Sequence, residues 1–262
     1  MIREHTILER GGNMRNAIRY LFLATVVAAL TAFGSGLAAA AIIRPTVPAV
    51  QAISPGAGET VGIAAPVRVQ FAQPVENRTR AEQSVSIRAG TELAGSFSWQ
   101  SDRELTWTPE GFLPASTPIS VSAGTARTEF NTNAGVTAEG NMSNHTFTVS
   151  IGGVPVRTIP ASFGKPGWET PTGTFPVLEK FRSIVFDSRT IGIPLNSPEG
   201  YLIDGEYAER LTWSGVFVHS APWSVDSQGY ANVSHGCINL PPADAAWYYE
   251  NVSVGDPVYL HW

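Results

Sequence analysis

Apolar and polar positions alternate in short bursts along this chain. In "VRVQF", Val67, Val69 and Phe71 fall on one side, with Arg68 and Gln70 on the other. "SFSW" repeats the pattern with Phe97 and Trp99, "ELTW" with Leu105 and Trp107, and "ISVS" more briefly. Successive side chains on a strand point to opposite faces, so this period predicts half-buried antiparallel strands. Strand-like runs resume in "TFTVSI", "VPVRTIP", "TFPVLEKF", "SIVF" and "GVFVHS". Helical spacing is clear only in "PPADAAWYYENV". There Pro241 and Pro242 suit a helix start, and Ala243, Ala246 and Trp247 share a face.

The punctuation between these bursts sets the expected domains. With 25 Gly and 19 Pro, turns are frequent, and the expected fold class is mainly β. The segment from about 52 to 140 has the size of a small sandwich of immunoglobulin type. It lacks the cysteine pair of antibody domains and gathers no catalytic residue types, so it reads as a spacer or binding module. "AGVTAEGNMSN", Ala134 to Asn144, is polar and weakly patterned. It is read as the boundary to a second domain over 145–262. Upstream, "RPTVPAVQAISP" holds three prolines and one charge. Proline favours extended backbone, so residues 44–51 are expected to be a semi-rigid linker.

Before the linker, Arg15 and Arg19 precede an uncharged run of 24 residues, Tyr20 to Ile43. That length can span a bilayer, and flanking arginines stay on the cytoplasmic side. Residues 1–43 are therefore expected to be a cytoplasmic tail and a signal or membrane anchor. The small residues of "LAAAA" offer a cleavage point, and Met14 is an alternative start. The rest of the chain is expected outside the cell membrane, in the envelope, anchored or secreted to the wall.

The net charge of −5 and the low share of charged residues, 15%, lack the basic patch of a nucleic-acid binder. No nucleic-acid partner is expected. Cys237 is the only cysteine, so in an exported chain it has no partner for an intramolecular disulfide.

Cys237 lies in "NVSHGCINL", two residues after His235, with Gly236 between them. A second histidine, His219, closes the run "GVFVHS" sixteen residues before His235. A cysteine attacks as the thiolate, so it needs a lowered pKa or an adjacent base. Gly236 permits a sharp turn that could present the sulfur and aim N–H groups at one point, as an oxyanion hole does. Three readings arise: a nucleophile with its base, a zinc site of His219, His235 and Cys237, or an inert buried thiol. The H-x-C spacing is too short for paired structural ligands, and no CxxC or HExxH occurs. No metal or cofactor is expected.

The stretch "HSAPWSVDSQGYANVSHGCINL", His219 to Leu240, resembles the active-site segment of the L,D-transpeptidases with the YkuD fold. Their pattern is a histidine, a spacer of about fifteen residues, then Ser/Thr-His-Gly-Cys with Asn or Arg two places on. His219, Ser234, His235, Gly236, Cys237 and Asn239 fill those places. "TPTGTF" resembles an early strand turn of the family, "IPLNSPEGYLID" the loop that covers its pocket, and "ISPGAGETVGIAAPVRVQF" the start of the immunoglobulin-like domain of actinobacterial members.

The resemblance implies an immunoglobulin-like β-sandwich followed by a YkuD-type β-sandwich, with a short helix after the cysteine. It implies peptidoglycan stem peptides as partners, 3→3 cross-linking through a cysteine thioester with release of D-alanine, and covalent inhibition by β-lactams of carbapenem type. Cys237 would be the nucleophile and His219 the general base, oriented by the carbonyl of Ser220. The N–H groups of Cys237 and Tyr201 would hold the oxyanion, and Gly236 would shape the turn. Ser234, His235 and Asn239 would line the pocket and bind substrate, with Trp223 as a wall. Ile191 stands where mycobacterial members often carry a second tyrosine. Two other readings of the site are an L,D-carboxypeptidase hydrolysing the same bond and a non-catalytic wall-binding protein.

Overall fold

The computed structural model describes residues 47–262, and the arginine-flanked apolar run lies outside them. Among the described residues no helix is long and apolar enough to cross a membrane. The first half runs through strands β1 (Val50–Ser54), β2 (Thr60–Val61) and β3 (Val67–Phe71), then a short helix α1 (Arg78–Gln83). It continues through β4 (Val85–Ala89), β5 (Thr91–Glu92), β6 (Gly95–Trp99), β7 (Glu104–Pro109), β8 (Pro118–Ala123) and β9 (Ala126–Thr132). Two sheets, ordered β1-β3-β7-β6 and β2-β9-β8-β4-β5, make up this immunoglobulin-like part. The alternation read from the sequence is realised at Val67, Val69, Phe71 and Leu105, all buried in its core with Ile119 and Phe130. Side chains of this size each stabilise the core by roughly 1.5–3 kcal/mol. Phe97 and Trp99 pack on its margin.

The second half contains β10 (Val136–Asn141), β11 (Thr146–Ile151), β12 (Val154–Pro160), β13 (Gly173–Pro176), β14 (Glu179–Asp187), β15 (Leu202–Arg210), β16 (Phe217–Ser220) and β17 (Ile238–Leu240). Helix α2 (Pro242–Asn251) and strand β18 (Pro257–His261) follow. One sheet is ordered β12-β11-β10-β18-β13, the other β14-β15-β16-β17. Their shared core includes Phe147, Phe163, Val218, Ile238, Tyr248 and Leu260.

Three local expectations are corrected. The polar run read as a boundary contains β10, which pairs antiparallel with β11 and parallel with β18. Val136 and Ala138 are buried while Glu139 faces out. The second domain therefore begins before residue 145. Its small and polar residues masked a strand that is half solvated. Second, Val50 and Gln51, expected in the linker, belong to β1, which pairs with β3 at the edge of its sheet. No proline falls inside β1, and an edge strand tolerates prolines beside it. Third, helix α2 buries Ala245 and Tyr248, not Ala243, Ala246 and Trp247. These two residues, three apart on one face, enter the core, where the Tyr248 ring lies 5.1 Å from that of Phe147.

The two sandwiches are joined by main-chain hydrogen bonds. Gly62 N–H donates to Val254 O and Ala64 N–H to Gly255 O, each at 2.8 Å. A Cβ on Gly62 would overlap the Asp256 amide, and one on Gly255 would overlap Ala65. Beside this contact, Asn133 Nδ2 donates to both carboxylate oxygens of Asp256, at 2.8 and 2.9 Å.

Candidate active site

Strands β16 and β17 run parallel, with Val218 opposite Ile238 and His219 opposite Asn239. Residues two apart on a strand share a face. Cys237, one place before β17, therefore points the same way as Asn239, beside His219. All three line one cavity of about 230 Å³, walled also by Phe186, Tyr201 and Trp223.

The turn that delivers the cysteine is held from inside. Gly236 has φ 114°, a conformation that side chains rarely adopt. Ser234 Oγ donates to Cys237 O at 2.7 Å and accepts from Gly236 N–H at 3.0 Å. Thr170 Oγ1 donates to Gly236 O at 2.9 Å. Ser234 was expected to bind substrate. It does line the cavity, but its hydroxyl proton is engaged inside the turn. Among the described residues, no hydrogen bond occupies the N–H of Cys237. That donor is free for an oxyanion.

Cys237 Sγ lies 3.6 Å from Gly215 O and donates to it. Burial pushes the thiol up to about 11, against a smaller downward pull from the Phe217 backbone. His219 Nδ1 sits 2.8 Å from Ser220 O. A ring nitrogen facing a carbonyl carries the proton, which leaves Nε2 as an acceptor. The Ser220 carbonyl therefore fixes which ring nitrogen of His219 faces away from it. Burial pushes His219 down to about 4, only partly offset by the Ser220 carbonyl. Both shifts favour a neutral thiol and a neutral imidazole over an ion pair.

Tyr201 departs from its expected role. Its N–H donates to Ser188 Oγ at 3.1 Å, so that amide does not face an oxyanion. Ser188 is fully buried at the start of the loop and folds the loop onto itself. The Tyr201 ring does line the cavity, and burial and then the nearby Cys237 raise its phenol to about 12. Asn239 Nδ2 donates to Ser224 Oγ at 3.0 Å, bracing β17 against the turn after β16. Trp223 is half exposed, its ring 5.8 Å from that of His219. His235 turns its Nε2 to Glu199 Oε2 at 2.7 Å. Among the described residues no group of three His, Cys, Asp or Glu side chains is placed to hold a metal ion.

Sequence reasoning missed Phe186, whose ring lies 4.6 Å from that of His219, and Gly215, which accepts from the thiol. It also missed Thr170, Lys165 and Glu199. The one available signal was Glu199, a lone charge in an otherwise uncharged loop.

Residues 135–260 match the L,D-transpeptidase catalytic domain family YkuD, and residues 36–129 match a bacterial Ig domain family. L,D-transpeptidase 1 of Mycobacterium tuberculosis is 48% identical over 248 residues, covering 94% of this chain and 98% of that protein. An L,D-transpeptidase structure from Mycobacterium smegmatis is 54% identical, with a TM-score of 0.79, covering 83% of this chain and all of that one. The structure of the LD transpeptidase LdtMt1 in complex with imipenem is 49% identical, with a TM-score of 0.78, covering 82% of this chain and all of that one.

Proposed function

This chain belongs to the L,D-transpeptidase family, and we propose that it forms 3→3 peptidoglycan cross-links by acyl transfer through a Cys237 thioester. The donor is a tetrapeptide stem and the acceptor is the side-chain amine of a second stem's diamino acid. The observation that carries this reading is the parallel pairing of β16 with β17, which puts His219 and Cys237 into one cavity with Ser220 O on His219 Nδ1.

The reaction follows from that geometry. His219 Nε2 takes the thiol proton as Sγ attacks the carbonyl carbon that joins the donor's third residue to D-alanine. The N–H of Cys237 receives the developing oxyanion. The tetrahedral intermediate collapses, D-alanine leaves as an amine with the proton held by His219, and the thioester remains. The acceptor amine then attacks the thioester, giving its proton to His219. Collapse expels the Cys237 sulfur, which recovers that proton. Gly236 shapes the turn. Tyr201, Trp223, His235 and Asn239 contribute walls against which stem peptides rest.

The same site opens β-lactams of carbapenem type, in line with the imipenem complex of LdtMt1. Residues 1–43 export the chain and tether it in the envelope, a reading supported by Arg15, Arg19 and the uncharged run that follows. Separating membrane from soluble wall fractions tests the tether.

Incubating the purified protein with a disaccharide-tetrapeptide and weighing the products tests the reaction. A dimer lacking one D-alanine is expected. Loss of D-alanine without a dimer would make the enzyme an L,D-carboxypeptidase. Intact-protein mass spectrometry should also show one imipenem adduct, absent in Cys237→Ala.

A further inference from the structure

Residues Gly192–Tyr201 form the loop that leads to Tyr201 at the pocket, and Glu199 is the only charged residue among them. The hydrogen bonds of the rest of this loop stay local. Gly192 N–H donates to Arg189 O, Ile193 N–H to Ser188 O, Ser197 N–H to Pro194 O, and Gly200 N–H to Ser197 O. Tyr201 N–H donates to Ser188 Oγ.

Glu199 reaches outside that circuit. Its Oε2 accepts from Lys165 Nζ at 2.6 Å and from His235 Nε2 at 2.7 Å. Lys165 lies on the segment between β12 and β13, and its own N–H donates to Ser234 O. His235 is next to Gly236 in the turn that presents the nucleophile. One carboxylate therefore ties together His235 of that turn and the Lys165 segment bonded to Ser234. Two rings box His235 in the same place: Trp168 at 5.2 Å and Tyr201 at 5.4 Å between centroids.

We infer that Glu199 is a positioning residue that latches the loop over Cys237 by holding Lys165 and His235 together. The inference rests on the transpeptidase reading of this pocket. A charge-assisted pair is stronger than a neutral hydrogen bond. Glu199 is half exposed, so its contribution is that of a surface ion pair, modest and screened by salt. When the latch is closed, Tyr201 stands against His235 and the pocket keeps its wall. When it opens, no other hydrogen bond among the described residues links the loop to the nucleophile turn.

The test compares the full-length wild type with Glu199→Gln and Glu199→Asp. Two readouts are used: imipenem acylation followed by intact mass, and amide hydrogen exchange of residues 195–201. At low salt, Glu199→Gln should acylate about 1.5- to fivefold more slowly, the size expected from losing one exposed ion pair. Glu199→Asp, one methylene shorter, should fall between. Raising the salt to about 1 M should slow the wild type toward the variant and leave the variant's rate flat. A residue that merely kept the fold would not produce that convergence. Loop amides should exchange faster in Glu199→Gln while the rest of the domain is unchanged. Exchange reads the loop without any chemistry, so a wild type that fails to acylate would sink the transpeptidase reading separately. Unchanged loop exchange in Glu199→Gln overturns the latch. Faster exchange with an unchanged acylation rate overturns the positioning role.

Discussion

His219 stands opposite Asn239 in the parallel register of β16 and β17, and that pairing places it in one cavity with a cysteine two residues upstream of its partner. The nearer histidine in sequence, His235, points its Nε2 at Glu199 instead.

His219→Ala should therefore lower carbapenem acylation by roughly 10²–10⁴-fold, the range for a positioned acid or base. His235→Ala should cost far less. The base works only when neutral, and burial holds His219 down to about 4. The acidic limb of the acylation rate should lie near pH 4. A limb near the ordinary histidine value of about 6.5 would mean that another group supplies the base. Because burial also raises Cys237 to about 11, ultraviolet absorbance should show no thiolate between pH 7 and 9 in the empty enzyme.

Gly236→Ala should damage function more than stability. At φ 114° an alanine is strained by roughly 1–3 kcal/mol. The turn can relieve that strain only by moving the Cys237 N–H and the sulfur. Thermal unfolding should shift modestly while acylation falls at least about tenfold. Wild-type acylation by a folded Gly236→Ala protein would show that the turn does not set the nucleophile.

Two buried groups should tilt the pH dependence of stability in opposite directions. Asp256 is pushed up to about 6, by burial first. The folded state holds its proton longer than the unfolded chain does, so this group makes stability fall as pH rises from about 4 to 6. His219, held down to about 4, acts the other way. Its unfolded form charges first on acidification, so it adds stability as pH rises from about 4 to 6.5. Relative to wild type, Asp256→Asn should make urea-unfolding stability climb more steeply over this window. His219→Ala should make it climb less. Parallel curves for all three proteins would refute the burial argument.

Truncation separates the first sandwich from the chemistry. A chain beginning at Asn141 loses β10, the strand between β11 and β18, and should fail to fold. One beginning at Asn133 keeps that strand and the Asp256 partner. It should melt at a lower temperature yet acylate within a few-fold of the full chain. A well-folded product with acylation reduced by orders of magnitude would mean that the first sandwich shapes the active site.

The sequence made the mainly β class legible because Val67, Val69, Phe71 and Leu105 alternate cleanly, and burial follows alternation. It made Cys237, His219 and the Ser220 carbonyl that meets His219 legible because they sit in one contiguous, patterned segment. β10 was hidden because Thr137, Glu139 and Asn141 occupy its solvated face, and polar residues on an outer face look like a loop. Tyr201 was misread for a different reason. Which partner a backbone amide meets depends on the fold of the loop, and the nearby Ser188 hydroxyl captured it. Phe186, Gly215 and Lys165 come to the site from separate elements, and no spacing rule connects residues across a sheet.

The contact of Gly62 and Ala64 with Val254 and Gly255 bears on interchangeability. Surface linkers let a module be swapped between relatives at little cost. Here the seam is built of backbone, and each side is shaped to the absence of a side chain on the other. A chimera that takes its first sandwich from another family member must carry a matching strip at both 62–65 and 254–256, with a partner for Asp256 at position 133. A graft that respects only the loop ends would separate at this seam.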